Sequence, residues 1–323
     1  MPTTNFNGGV APWGAVPGVY DMALGRTWFV CNRSGVTAGG GFSADKPLAS
    51  VADANAAIDT NSPTQGDMVI IGQGHTENIT AANTFSGSSV NTSTITLKAG
   101  TRYIGQGTGT YRPTFTWTAA ASAWNLTVAN TTIENCNLFL AGAHAAGSAL
   151  TVAAPITVSA AGCKLLNNRM FFGFDADQIV TIGITTTAAA DDFWFNGNYC
   201  RAEVAAATGT TFMQLVGADF MQMNGNYISG ASSAVGVGIV RFLTTASLGI
   251  SWDSNQIQNQ LAASASAVTG LAGCTGMVTN CTWGILDNAT KAGFTTPANL
   301  QFGNCFTVND NGENGAAMTP VSA

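Results

Sequence analysis

The chain has 323 residues, of which 11 are Lys or Arg and 17 are Asp or Glu, so charged residues make up 9% against roughly 25% in an ordinary soluble domain. A net charge of −6 with no basic run in the sequence argues against nucleic acid and anionic membrane as partners, since both require grouped Lys and Arg against phosphate. With 46% hydrophobic residues and a polar remainder dominated by Thr, Ser, Asn and Gly, the chain is expected to fold rather than stay disordered.

Residues 1–27 come first, with five Gly and three Pro before Thr27 and scattered aromatics, a composition that reads as an extended N-terminal arm. No basic n-region or continuous apolar h-region stands there, so no secretion signal is expected. Ser50-Val-Ala-Asp53 has the spacing of a capping box and opens a short helix near 50–59, in which Val51, Ala54, Ala57 and Ile58 are placed to cover an open core end. Strands are predicted at Met68–Ile71, Ile95–Leu97 and Tyr103–Gly105.

From residue 135 onward a short pattern of apolar, Asn, small, Asn and apolar residues recurs: Asn135-Cys136-Asn137, Asn167-Asn168-Arg169, Asn196-Gly197-Asn198, Asn224-Gly225-Asn226, Asp253-Ser254-Asn255, Thr279-Asn280-Cys281 and Gly303-Asn304-Cys305. Anchored on Asn137, Asn168, Asn198, Asn226, Asn255, Asn280 and Asn304, the steps are 31, 30, 28, 29, 25 and 24 residues. Alternating apolar residues precede several anchors, as in Phe193-Trp-Phe195 and Met221-Gln-Met223, which is the period-two signature of a half-buried strand. The steps are too short for a propeller blade of ~40 residues, and the intervening Thr, Ala, Ser and Gly runs lack helical apolar spacing. The predicted architecture is therefore an all-β parallel β-helix over 28–310, followed by a polar C-terminal tail at 311–323. Equivalent positions on stacked coils lie about 4.8 Å apart, where Asn can pair with Asn and columns of like charge would repel. That gives a physical reason for the missing charge, and it makes the seven Asn candidate ladder and turn residues.

Chemistry is sparse. Seven cysteines, an odd number without a Cys-x-x-Cys pair, give no disulfide framework or zinc motif and read as small buried residues. Asn309-Asp-Asn-Gly-Glu313 is too short for a calcium loop, and Gly105-Gln-Gly-Thr-Gly-Thr110 lacks the Lys and helix of a phosphate loop. His75 and His144 have no nucleophile elbow near them, and His75 reads as a loop partner of Glu77. No metal or cofactor is expected. Asp191, Asp192, Arg201 and Glu203 form the one candidate glycan site, drawn from neighbouring repeats together with Asp175 and Asp177. Trp194 alternates with Phe193 and Phe195 and is expected to face outward, as a subunit contact, a ladder member or a sugar platform.

Trp28-Phe-Val-Cys31 through Asp45-Lys-Pro-Leu-Ala-Ser50, Gly66–Ile71, His75-Thr-Glu77, Ile104-Gly-Gln-Gly107 with Arg112-Pro113, and Ile133-Glu-Asn-Cys136 together resemble the opening coils of right-handed parallel β-helix proteins of the pectate-lyase-like superfamily, in particular those of tailed phages. Asn5-Phe-Asn-Gly-Gly9 is similar to the N-terminal arms of phage structural proteins. The resemblance implies a non-enzymatic capsid decoration protein made in the bacterial cytoplasm and carried on the virion surface. It would bind the major capsid protein through Asn5, Phe6, Trp13 and Tyr20 and assemble as a homotrimer. The alternative it leaves open is a tailspike-type receptor-binding or glycan-degrading β-helix protein.

Overall fold

A computed structural model describes residues 26–61, 66–80, 100–142, 149–172, 177–202, 211–230, 238–260, 266–285, 294–295, 299–309 and 316–317. Asn5, Phe6, Trp13, Tyr20, His144, Asp175, Glu203 and the strand expected at Ile95–Leu97 lie outside them.

Short strands stack into three long parallel sheets. The first has ten strands, from Thr27–Val30 to Asn299–Gly303; the second has ten, from Thr76–Ile79 to Phe306–Asn309 and then Ala316–Ala317; the third has seven, from Trp124–Leu126 to Phe294–Thr295. From Arg102 to Gly303 each coil visits the first, second and third sheets in turn and stacks in register on the coil before it, so that Ile133 lies beside Leu165, Leu165 beside Phe195, and Phe195 beside Met223. This is a parallel β-helix. Leu150–Val152 and Gln178–Val180 add a two-stranded side sheet on two neighbouring coils. The tail departs from the sequence reading at one point, because Ala316–Ala317 returns antiparallel against Phe306 and Thr307.

The core follows from strand alternation. In the first sheet the inward column runs Val69, Tyr103, Ile133, Leu165, Phe195, Met223, Trp252, Val278 and Phe302, all buried. Phe115, Leu138, Met170, Cys200, Ile228, Ile257 and Trp283 do the same in the second sheet. A helix, α1 (Val51–Asn61), closes the N-terminal end, with Val51, Ala54 and Ile58 buried against the first coil. Its first turn is capped locally by Ser50, whose Oγ accepts the Asp53 N–H at 3.0 Å and donates to the Asp53 carboxylate at 2.7 Å.

Coils turn through left-handed backbone at two recurring corners. The corner between the first and second sheets places Asn135, Asn167, Gly197, Gly225, Ser254, Asn280 and Asn304 at φ between 52° and 67°. The corner entering the first sheet does the same with Asn130, Gly162, Asp192, Phe220 and Gly249. Asn, Asp and Gly suit this region. Phe220 does not, and it sits there with 59% of its surface exposed.

Candidate functional site

The residue after the first corner points inward and forms a continuous ladder. Asn168 Oδ1 accepts the backbone N–H of Cys136 at 2.9 Å, Asn198 that of Asn168 at 2.9 Å, Asn226 that of Asn198 at 2.9 Å and Asn255 that of Asn226 at 3.1 Å. Their Nδ2 groups donate back to the carbonyls of Ile133, Leu165, Phe195 and Met223. Each amide oxygen thus satisfies a corner N–H of the preceding coil, and each amide nitrogen adds a bond to a strand carbonyl of that coil. At either end the column is completed by cysteine, with Cys136 before Asn168 and Cys281 and Cys305 after Asn255; the Cys281 thiol donates to the Thr279 carbonyl at 3.1 Å. Burial pushes the Cys136 thiol up to about 12.

Three of the seven expected ladder and turn positions lie outside this inner column. Asn280 and Asn304 occupy the left-handed corner itself, one residue early, and form an outer ladder in which Asn304 Nδ2 donates to Asn280 Oδ1 at 2.7 Å and Asn280 Nδ2 to Asp253 at 2.8 Å. Asn137 lies one residue late, at the start of Asn137–Phe139, and donates to the Gly109 carbonyl. The cause is alternation: a one-residue offset moves a side chain from the interior to another environment. Counted on the corner residue, the coil lengths are 32, 30, 28, 29, 26 and 24.

The described members of the proposed carboxylate cluster do not converge. Asp191 and Asp192 stand on the corner entering the first sheet, whereas Arg201 ends Tyr199–Arg201 on the outer face of the second sheet, with the strand Trp194–Asn196 and the Asn corner between them. Asp191 accepts the Asp219 N–H at 3.0 Å, Asp219 in turn accepts the Leu248 N–H at 2.7 Å, and Asp177 is exposed at the edge of the side sheet. Asp191 and Asp219 are turn acceptors, a role that a recurring corner requires and that residue type alone does not distinguish from catalysis.

His75 and Glu77 are buried together, with Nε2 to Oε1 at 2.7 Å. The Asn32 N–H donates to His75 Nδ1 at 3.1 Å, so the ring proton is on Nε2 and points at the carboxylate. Glu77 Oε1 also accepts the Val51 N–H at 2.6 Å, which ties the first turn of α1 to the first coil. The dyad fastens the lid.

The four stacked aromatic residues on the outer face of the second sheet are poor sugar platforms. Phe139 stacks on Phe171 at 5.0 Å and 20°, and Tyr199 on Tyr227 at 5.1 Å and 12°. Rings stacked along the solenoid axis cover one another's faces and present edges, whereas a sugar packs against a face. Trp194 is half-buried and faces away from buried Phe193 and Phe195, with the Lys164 Nζ over its ring at 3.8 Å.

A groove of about 900 Å³ does exist, and it lies elsewhere, under the overhang of the loops that follow Val30 and Gly105. Ile70 and Ile104 contribute apolar wall, Gln73, Gln106 and Asn135 contribute amides, and Arg33, Arg112 and Arg169 bring three of the chain's eleven basic side chains to one place. Arg112 and Arg169 are 57 residues apart in sequence, and Arg33 is 79 before Arg112, so no local motif announces the cluster.

No family model matches the chain, and no curated protein does. Among solved structures, a rhamnogalacturonan lyase superimposes with a TM-score of 0.52 at 11% identity, covering 88% of this chain and 74% of its own. The fold is a right-handed parallel β-helix. Pectin methylesterase from Erwinia chrysanthemi (TM-score 0.46, 12% identity, 89% of this chain and 81% of its own) and the A-module of a mannuronan C-5 epimerase from Azotobacter vinelandii (0.42, 10%, 79% and 65%) are also similar. These neighbours are carbohydrate-processing enzymes by name. Identities near 11% carry the likeness of this right-handed β-helix to its architecture, and a shared architecture does not transmit an activity.

Proposed function

We propose that this right-handed β-helix is a non-enzymatic structural protein of a tailed-phage virion, a decoration protein on the capsid surface. In this reading residues 1–27 engage the major capsid protein, the solenoid body forms a homotrimer, and the protein is made in the bacterial cytoplasm. The observation that supports it is the use to which the carboxylates are put. Asp67 accepts the Arg26 N–H and the Trp28 indole N–H, both at 2.8 Å; Glu77 holds α1; Asp191 and Asp219 hold corners. Asp253 accepts from Thr279, Ser254 and Asn280, and those hydrogen bonds keep it below the usual carboxylate range. General acid–base catalysis needs the opposite, a carboxylate raised toward the working pH. Carboxylates spent in this way, together with a continuous amide ladder, fit a stiff scaffold whose function is mechanical.

Quantitative mass spectrometry of purified particles tests the proposal. Decoration predicts a copy number comparable to that of the major shell protein, and removal of residues 1–26 should abolish particle association while circular dichroism still reports the β-helix. A handful of copies per particle, or undiminished association after the deletion, would refute it.

A further inference from the structure

We infer that the groove beside the first Asn corner binds a doubly charged oxyanion, a phosphate monoester carried on a sugar or polyol. The inference is independent of where the protein resides. Arg33, Arg112 and Arg169 all line this one groove in a chain whose net charge is −6. The carboxylate that lines it, Glu134, is engaged by Arg102 at 3.5 Å, and among the described residues none of the three arginines has a carboxylate partner. The positive charge there is uncompensated.

Two of the three cations are held in place. Arg112 donates from Nη1 to the Asn167 carbonyl at 2.7 Å, while its Nε is buried without a hydrogen-bond partner. A buried donor left open costs free energy unless a ligand fills it. Arg169 lies over the rings of Phe171 and Tyr199, at 5.4 and 5.6 Å, which fixes its plane. Partial burial and the nearby Arg169 charge lower the Arg112 pKa, the expected mark of two cations held together. Preorganised guanidiniums favour phosphate and sulfate over a single carboxylate, because a dianion satisfies both charges and offers acceptors in three dimensions. The amides of Gln73 and Gln106 supply donors and acceptors for hydroxyl groups, and Ile70 and Ile104 an apolar wall for the carrier.

The test uses the full chain, with glucose 6-phosphate, inorganic phosphate, inorganic sulfate, glucose and glucuronate titrated by calorimetry at low ionic strength. Glucose 6-phosphate should bind most tightly, inorganic phosphate and sulfate more weakly and glucuronate weaker still, glucose should give no heat, and binding should fade with added salt. Arg112→Gln and Arg169→Gln should each weaken the ester by about tenfold or more. Arg33→Gln, on an exposed loop, gives a third variant that leaves the coil contacts intact. Unchanged melting temperatures confirm that a loss is not unfolding. No saturable binding of any oxyanion by the wild type, or equal affinity in the Arg112→Gln/Arg169→Gln double variant, overturns the site. Glucuronate binding as tightly as the ester overturns the preference for a dianion, and inorganic phosphate binding as tightly as the ester overturns the carrier.

Discussion

Replacing Asn226 with Ala tests whether the inner ladder stabilises the solenoid. In the native structure Asn226 Oδ1 accepts the Asn198 N–H at 2.9 Å, and its Nδ2 donates to the Phe195 carbonyl at 2.6 Å and to Asn255 Oδ1 at 2.8 Å. Alanine leaves the Asn198 N–H without a partner in a site that is 2% exposed and removes one donor from the Phe195 carbonyl, which lies in a paired strand, whereas Asn255 Oδ1 keeps the residue 226 N–H. At roughly 1–3 kcal/mol for a buried group left unsatisfied, the expected loss is about 1–3 kcal/mol. Equilibrium denaturation in guanidinium, with the slope checked for constancy, measures it. Hydrogen exchange localises it, because the Asn198 amide should lose protection before its neighbours do. Asn304→Gly, at an exposed corner with φ of 52°, is the control and should cost under about 1 kcal/mol. If Asn226→Ala and the control shift the midpoint equally, or the Asn198 amide exchanges as slowly as before, the ladder is not what holds the coils.

Glu77→Ala strips the Val51 N–H and His75 Nε2–H of a buried acceptor and should cost about 2–5 kcal/mol, with Glu77→Gln, which keeps an acceptor, costing less; thermal denaturation reads both, and equal losses would contradict the capping role. Phe220→Asn places a residue tolerant of left-handed backbone at φ of 55° and should stabilise by about 1 kcal/mol in the same assay, since other residues pay 1–2 kcal/mol there; a destabilised variant would mean that the exposed ring makes contacts of greater value. Burial pushes Cys136 up to about 12 and Cys163 up to about 11, while thiols of the unfolded chain ionise near 9.0. Above pH 9 the unfolded state therefore binds fewer protons than the native one, and stability should fall by about 1.4 kcal/mol per pH unit for each thiol until the folded values are reached. Denaturation midpoints between pH 8 and 10.5 check this, and a flat profile would rule it out.

Much of the fold is legible in particular residues. Phe193-Trp194-Phe195 alternates because a strand must bury every second side chain, and Asn196-Gly197-Asn198 marks a corner because Gly accepts positive φ while the following Asn can reach the next coil. The ladder's exact register is less legible, since Asn stands on both sides of the corner and Cys replaces it in three coils; Asn280 and Asn304 therefore look like members of the inner column when they belong to the outer one. The candidate site is least legible. Asp191, Asp192 and Arg201 are near in sequence, yet one strand and one corner carry Arg201 to a different face.

The sequence by itself determined the solenoid, its coil length, its helical lid and its neutral character, because these follow from local periodicity, turn chemistry and the repulsion between stacked like charges. Only the tertiary structure decided which polar side chains meet. Arg33, Arg112 and Arg169 share a groove because successive coils bring distant loops to one corner, and no local pattern encodes that convergence. The carboxylates show the same limit from the other side: their residue type permits catalysis, and the backbone N–H groups they face in the folded chain assign them to corners and caps.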